Sequence, residues 1–260
     1  MTAILISFGV AFAVNGVFFA VAAARRTDVV TDLSYSLTFV LLAIVLPATG
    51  AGRPVQLVAS LLVVVWAARL GAYLLRRILR TRVDHRFDGM RERPLRFARF
   101  WLLQAVTVAV VMLPVSYLLD RDHPPGAGAW NVAGAAVWLC GLLVEAVADA
   151  QKAAFRANEQ NRGHFIATGL WRYSRHPNYF GELLVWWGLF VYAVPALHGA
   201  SFLVVVGPVF ITLLLLFVSG IPLLERSADE KYANDDAYRD YKRRTSILVP
   251  LPPRKPVTMR

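Results

Sequence analysis

Seven runs of apolar residues, separated by short polar connections, follow one another along this chain, covering about 3–24, 33–50, 54–75, 100–119, 129–150, 178–197 and 201–224. Crossing hydrocarbon about 30 Å thick takes roughly 20 residues of helix, with every backbone N–H and C=O satisfied inside the segment. Each run is near that length. Breakers divide them at Gly50-Ala51-Gly52-Arg53-Pro54, at His123-Pro124-Pro125-Gly126 and at His198-Gly199. The pattern predicts an all-α polytopic membrane protein with seven transmembrane helices. They form one membrane domain over 1–260, ending in a basic tail, 225–260. No repeat of roughly 20–50 residues is visible. The first run has no basic residue before it and is long for a signal peptide, so it reads as a first membrane helix.

Composition agrees. Of 260 residues, 57% are hydrophobic, the mean hydropathy is +0.50, and ordinary soluble domains hold only about 45–50% apolar residues. A soluble chain this apolar would need a larger core than its length can enclose. The single cysteine, Cys140, lies within an apolar run and is expected to be a buried small side chain.

Charge supplies an orientation. Although only 17% of residues are charged, the net charge is +11. Of the 28 Lys and Arg, 25 fall on the first, third and fifth connections and the C-terminal tail. The opposite side holds only Arg53 and Arg121, and Arg69 lies inside a span. The positive-inside rule then puts the N-terminus outside and the C-terminus in the cytoplasm. The charges flank apolar spans, where they serve topology and meet anionic membrane lipids. No nucleic-acid partner is expected.

Three sets of polar residues follow helical spacing. Arg69, Tyr73, Arg76 and Arg80 advance by 4, 3 and 4 along the third span and share one face. Arg69 lies about two turns inside the membrane end, deep enough to call for an anionic partner. In the fifth span Glu145, Asp149, Lys152 and Arg156 advance in the same way; intrahelical pairing explains part of that stripe, but not Glu145 in apolar surroundings. The third set, Thr168 to Glu182, is the densest. Pro177 suits the first turn of a helix, and Asn178 and Glu182 then share a face. Arg172, Arg175 and His176 stand before a helix N-terminus, whose free N–H groups and dipole favour an anion. Interfacial Trp171 and Tyr173 on a well-capped helix would account for some of this segment, but not for so many polar groups. Gly-x-Gly-x-x-Gly, phosphate-loop and His-Glu-x-x-His motifs are absent. The five histidines lack metal-ligand spacing, so no metal is expected.

The segment Arg175-His176-Pro177-Asn178-Tyr179-Phe180-Gly181-Glu182 resembles the signature of bacterial integral membrane proteins related to steroid 5α-reductases. The tail Tyr238-Arg239-Asp240-Tyr241-Lys242-Arg243-Arg244-Thr245-Ser246, followed by Ile247-Leu248-Val249-Pro250, resembles it too, as does Trp66-Ala67-Ala68-Arg69-Leu70-Gly71. The likeness implies a seven-helix reductase of the bacterial cell membrane with its NADPH site facing the cytoplasm. It would reduce an activated C=C bond, such as the Δ4 bond of a 3-oxo-steroid or a similar lipophilic enone arriving from the bilayer. It further implies that Asn178 and Glu182 lie near the nicotinamide. Asp149, Arg156, Arg69 and Tyr173 would contact the cofactor. The family's enone-polarising acid and tyrosine correspond to Asp32 and Trp66; tryptophan has no phenolic proton, and Tyr35, one turn after Asp32, could replace it.

Under that implication Asp32, protonated by burial, or Tyr35 would hydrogen-bond the substrate carbonyl. The stripe Arg69, Tyr73, Arg76 and Arg80, with Arg156, Arg172, Arg175 and His176, would give the cofactor's phosphates several contacts, and Glu145 and Asp149 would line the polar cavity. Two alternatives stand beside it. Membrane methyltransferases of the isoprenylcysteine carboxyl type, which use S-adenosylmethionine, share an Arg-His-Pro-x-Tyr element and an acidic-aromatic tail; compare Leu224-Glu225-Arg226. A small transporter or lipid-binding protein would explain seven helices, but not polar groups gathered at one face. Neither the oligomeric state nor the individual substrate can be read from these residues.

Overall fold

The computed structural model describes residues 1–81, 89–90 and 93–255, excluding the side chains of Arg80 and Thr81. The chain is all-helical, with 78% of it in helix. No strand occurs among the described residues, only an isolated bridge between Ser174 and Ser246. Among the described residues, seven segments are long and apolar enough to cross a membrane: Thr2–Arg25, Thr31–Thr49, Pro54–Leu79, Pro94–Val111, Ala129–Ala157, Pro177–Ala196 and Gly199–Lys231. All seven expected spans are present.

The helices are α1 (Thr2–Arg25), α2 (Thr31–Val45), α3 (Pro54–Thr81), α4 (Pro94–Val111), α5 (Leu113–Leu119), α6 (Ala129–Ala157), α7 (Pro177–Ala193), α8 (Val206–Leu213), α9 (Ile221–Lys231) and α10 (Asp236–Arg244). They divide into two compact units. One comprises Met1–Ala135 with Leu189–Phe210, the other Ala136–Gly188 with Ile211–Arg260.

In the first unit α2 packs along α3 and α1 along α4. Ala3, Ser7, Ala11, Asn15 and Ala22 form the buried edge of α1, the i, i+4 spacing of one helix face. Close approach is possible where side chains are small. A Cβ on Gly71 of α3 would meet Ser36 Cβ of α2 at 3.0 Å. Interhelical hydrogen bonds supplement the packing, since lipid offers no hydrophobic drive between helices. Gln104 Nε2 donates to Asn15 Oδ1 (2.7 Å) and Ser34 Oγ (2.9 Å), and Ser7 and Ser116 share a hydroxyl bond of 2.7 Å.

The helix boundaries differ from the sequence reading where proline acts. The fourth span starts at Pro94, at a helix N-terminus that tolerates a missing N–H. It breaks after Val111, where Pro114 cannot bond back to Val110. Gly207 of α8 fills that break, since a Cβ there would lie 2.8 Å from Val110 O. The last span passes through a π-helical turn, Leu214–Val218, before α9 begins at Ile221-Pro222.

Cys140, expected to be buried, is instead exposed, as are Leu139, Leu143 and Val147 of the same helix. In a membrane helix apolarity does not mark the inward face, because lipid is as apolar as a core.

Candidate functional site

In the second unit, Gly141 of α6 and Gly181 of α7 let two helix backbones touch. A Cβ on Gly181 would lie 2.6 Å from both Gly141 O and Glu145 N. The first turns of α7, carrying half-buried Asn178 and Glu182, are thereby set against the turn of α6 that carries Glu145. Glu145 and Asp149 are both buried, at 3% and 4% exposure.

Ahead of α7 the chain makes a 3-10 turn, Gly169–Arg172. Gly169 takes φ +59 there, with no room for a Cβ against the Gln151 side chain, and Gln151 Oε1 accepts from Leu170 N at 2.9 Å. Trp171 is buried, its Nε1 donating to Ala148 O (3.0 Å), and Lys152 Nζ stands 4.5 Å over its ring.

The tail is bound directly to this turn. Arg175 N donates to Ser246 O (2.8 Å), Leu251 N to Tyr173 O (3.0 Å), Ser174 Oγ to Leu248 O (2.7 Å) and Tyr241 Oη to Trp171 O (2.6 Å). Two of the three sequence elements that carry the family resemblance are therefore neighbours in space.

Between them lies a cavity of about 320 Å³, within the roughly 300–1,000 Å³ of small-molecule sites. Its cations are Lys152, Arg156, Arg162, Arg175 and Lys231. Its aromatic side is Phe165 with Tyr232, Tyr238 and Tyr241, ring centroids 5.7, 5.3 and 5.3 Å from that of Phe165. Burial and nearby Glu225 and Asp229 push the Tyr238 phenol up to about 12, and burial raises Tyr241 further.

Glu225 of α9 gathers the charge. Its carboxylate lies 2.8 Å from His176 Nε2, 2.9 Å from Arg175 Nη1 and 3.3 Å from Lys242 Nζ. The Arg175 contact is an ion pair off the hydrogen-bond direction, leaving Nε and Nη1 unbonded among the described residues. A buried guanidinium with unbonded N–H groups beside a cavity suits an oxyanion.

Of the residues predicted from sequence, Arg156, Arg175 and His176 line this cavity. Arg172 and Tyr173 do not. They are exposed and paired with each other, the Arg172 guanidinium 6.0 Å over the Tyr173 ring. Glu145, Asp149, Asn178 and Glu182 belong to the α6–α7 crossing. The sequence reading missed Arg162, Lys231, the aromatic residues, Lys242 and, as a site residue, Glu225. The i, i+3 pair Tyr238 and Tyr241, and an acid closing an apolar run at Glu225, were the available signals.

The first unit holds the remaining candidates. Asp32 of α2 accepts from Arg77 Nη2 of α3 at 2.5 Å. The pair sets a guanidinium of α3 beside the acid that the sequence reading assigned to a substrate carbonyl. Trp66 is wholly buried, set edge-on to Phe39 (5.2 Å), which is edge-on to Tyr35 (5.1 Å). The Trp66 ring is packed into the interior of the first unit. Arg69 and Tyr73 are half-buried and Arg76 is exposed. The side chain of Arg80 lies outside the described residues. Arg77, next to Arg76 and four residues beyond Tyr73, reaches α2 through Asp32.

No curated protein and no solved structure matches the chain. A family model described as "Protein of unknown function (DUF1295)" matches residues 18–245, from within α1 to just past α10. The chain therefore belongs to the DUF1295 family.

Proposed function

We propose that this protein is an NADPH-dependent membrane reductase of an activated C=C bond in a lipophilic enone, of which a 3-oxo-Δ4-steroid is one form. The cavity beside Arg175 carries the reading. Its five cationic side chains suit a phosphorylated dinucleotide, and the unbonded Nε of Arg175 lacks only an oxyanion.

Bound there, NADPH would supply the hydride. Arg156, Arg162 and Arg175 would hold phosphate oxygens, while Phe165 and Tyr238 offer flat faces to a base. The family resemblance assigns Asn178 and Glu182 to the nicotinamide, and Asp149, Arg156, Arg69 and Tyr173 to further cofactor contacts. In the first unit Tyr35 and the Asp32–Arg77 pair would polarise the substrate carbonyl. The positive-inside rule puts the cofactor side in the cytoplasm.

One observation favours a second reading, an S-adenosylmethionine-dependent methyltransferase. Glu225 joins the Arg-His-Pro element to the acidic tail element, the two features shared with isoprenylcysteine carboxyl methyltransferases. Binding of NADPH and of S-adenosylmethionine to the purified protein in detergent decides between them. NADPH should bind, weakened at least about tenfold by Arg175→Ala, the loss of one charge-assisted contact. Binding of S-adenosylmethionine alone would overturn the reductase.

A further inference from the structure

We propose that His176 meets its ligand as a hydrogen-bond acceptor: Nδ1 takes an amine or hydroxyl proton of a nucleoside, not a phosphate oxygen, and Glu225 sets that polarity. This rests on the reading of the cavity as a cofactor site. It reverses the role that the sequence suggested for His176, a donor to an anion.

The polarity follows from the partners. Glu225 sits among Arg175, Lys242 and His176, so its carboxylate is charged and can only accept. His176 Nε2, 2.8 Å away, must then carry the hydrogen. In a neutral imidazole this leaves a lone pair on Nδ1. That atom is buried and has no hydrogen-bond partner among the described residues, in a side chain only 7% exposed.

A second proton on the ring is disfavoured. Every packed element contributes a group: Lys152 from α6, Arg175 before α7, Tyr179 within α7, Glu225 from α9 and, through Glu225, Lys242 from α10. Burial dominates, and Lys152 and Arg175 add to it, outweighing the pull of Glu225 and holding the imidazole below its ordinary value. Tyr179 is stacked on the ring at 5.8 Å and 13°, which restrains it from turning away.

The cavity indicates what brings the donor. Phe165, Tyr238 and Tyr241 suit a planar base, and the arginines suit an anionic remainder. An adenine amine or ribose hydroxyl fits such a site; a phosphate oxygen at Nδ1 would set lone pair against lone pair.

The test compares three variants, with detergent melting curves to establish that each folds. His176→Asn keeps an amide oxygen near the position of Nδ1, and should hold NADPH affinity within about threefold. His176→Gln puts its amide at the position of Nε2, and should lose about tenfold. Glu225→Gln can donate to Nε2 and turn the tautomer, and should lose a similar factor without touching the ring. The advantage of wild type over His176→Gln should shrink from about pH 8 to about pH 5.5, as the imidazole takes up its proton; the comparison cancels titration of the ligand's own phosphate.

If wild type binds NADPH but that advantage grows as pH falls, or Asn and Gln lose equally, the inference is overturned while the cofactor site stands. If only S-adenosylmethionine binds, the reductase falls, and the same series is read with that ligand, which carries the same adenine. If neither ligand binds, both are overturned.

Discussion

Gly141 of α6 and Gly181 of α7 meet backbone to backbone, so that a Cβ on either would stand 2.6 Å from the other's carbonyl oxygen. Neither side of this contact is a flexible side chain that could move aside. The crossing fixes Asn178 and Glu182 in register with Glu145.

Gly181→Ala should therefore cost about 1–3 kcal/mol, the range for overpacking a tight contact. Its thermal unfolding in detergent should fall by several degrees, with cofactor affinity falling too. An unchanged melting temperature would mean that the helices separate freely at this point.

Removing Glu225 should do far more than removing any one of its partners. Glu225→Ala leaves Arg175 and His176 buried without their carboxylate, a change of about 3 kcal/mol or more for a largely buried pair. Lys242→Ala leaves the other two pairs intact and removes a side chain about a third exposed, so a loss under about 1 kcal/mol is expected. Equal losses in chemical denaturation would contradict the hub geometry.

The Asp32–Arg77 pair is partly exposed, at 20% and 28%. A double-mutant cycle on stability with Asp32→Asn and Arg77→Met should return a coupling of about 1 kcal/mol or less. For the proposed reduction, either change should leave NADPH affinity within about twofold and slow turnover by about tenfold or more. Normal turnover in both variants would remove the pair from the chemistry.

Alkaline stability should depend on the tail. Tyr238 and Tyr241 both have raised pKa values, that of Tyr238 at about 12. The unfolded phenols lose their protons near their ordinary value of about 10, while the folded ones keep theirs to higher pH. The stabilisation is therefore complete below about pH 10 and is lost as pH rises through the folded values. Tyr241→Phe should be less stable than wild type at neutral pH, having lost its bond to Trp171 O, and the gap should narrow above about pH 10. A gap of constant size would refute this account.

The spans were legible because a bilayer imposes length and apolarity on each of them. Which side of a span faces lipid was not legible, and Cys140 shows why: a lipid-facing and a core-facing position obey the same apolar rule. The crowding of polar groups around Arg175 and His176 could be read from Pro177 and helix phase. Their partners could not, because Glu225, Lys242 and Ser246 arrive from at least 49 residues away by way of a π-turn that no local pattern announces. The neighbours of the third-helix stripe were not legible either, because helical spacing finds a face and only the facing helix decides what is reached. Here α2 meets Arg77, which no stripe contained, and packs Phe39 against Trp66.

The stitching of residues 241–251 onto the turn before α7 bears on how the protein is made. Its cavity walls come from two stretches of chain, and the second is completed only after all seven of these apolar runs. A nascent chain halted after the seventh run would hold those seven segments and yet lack the residues that close the site. A product truncated before Tyr241 should therefore lodge in the bilayer as an empty shell.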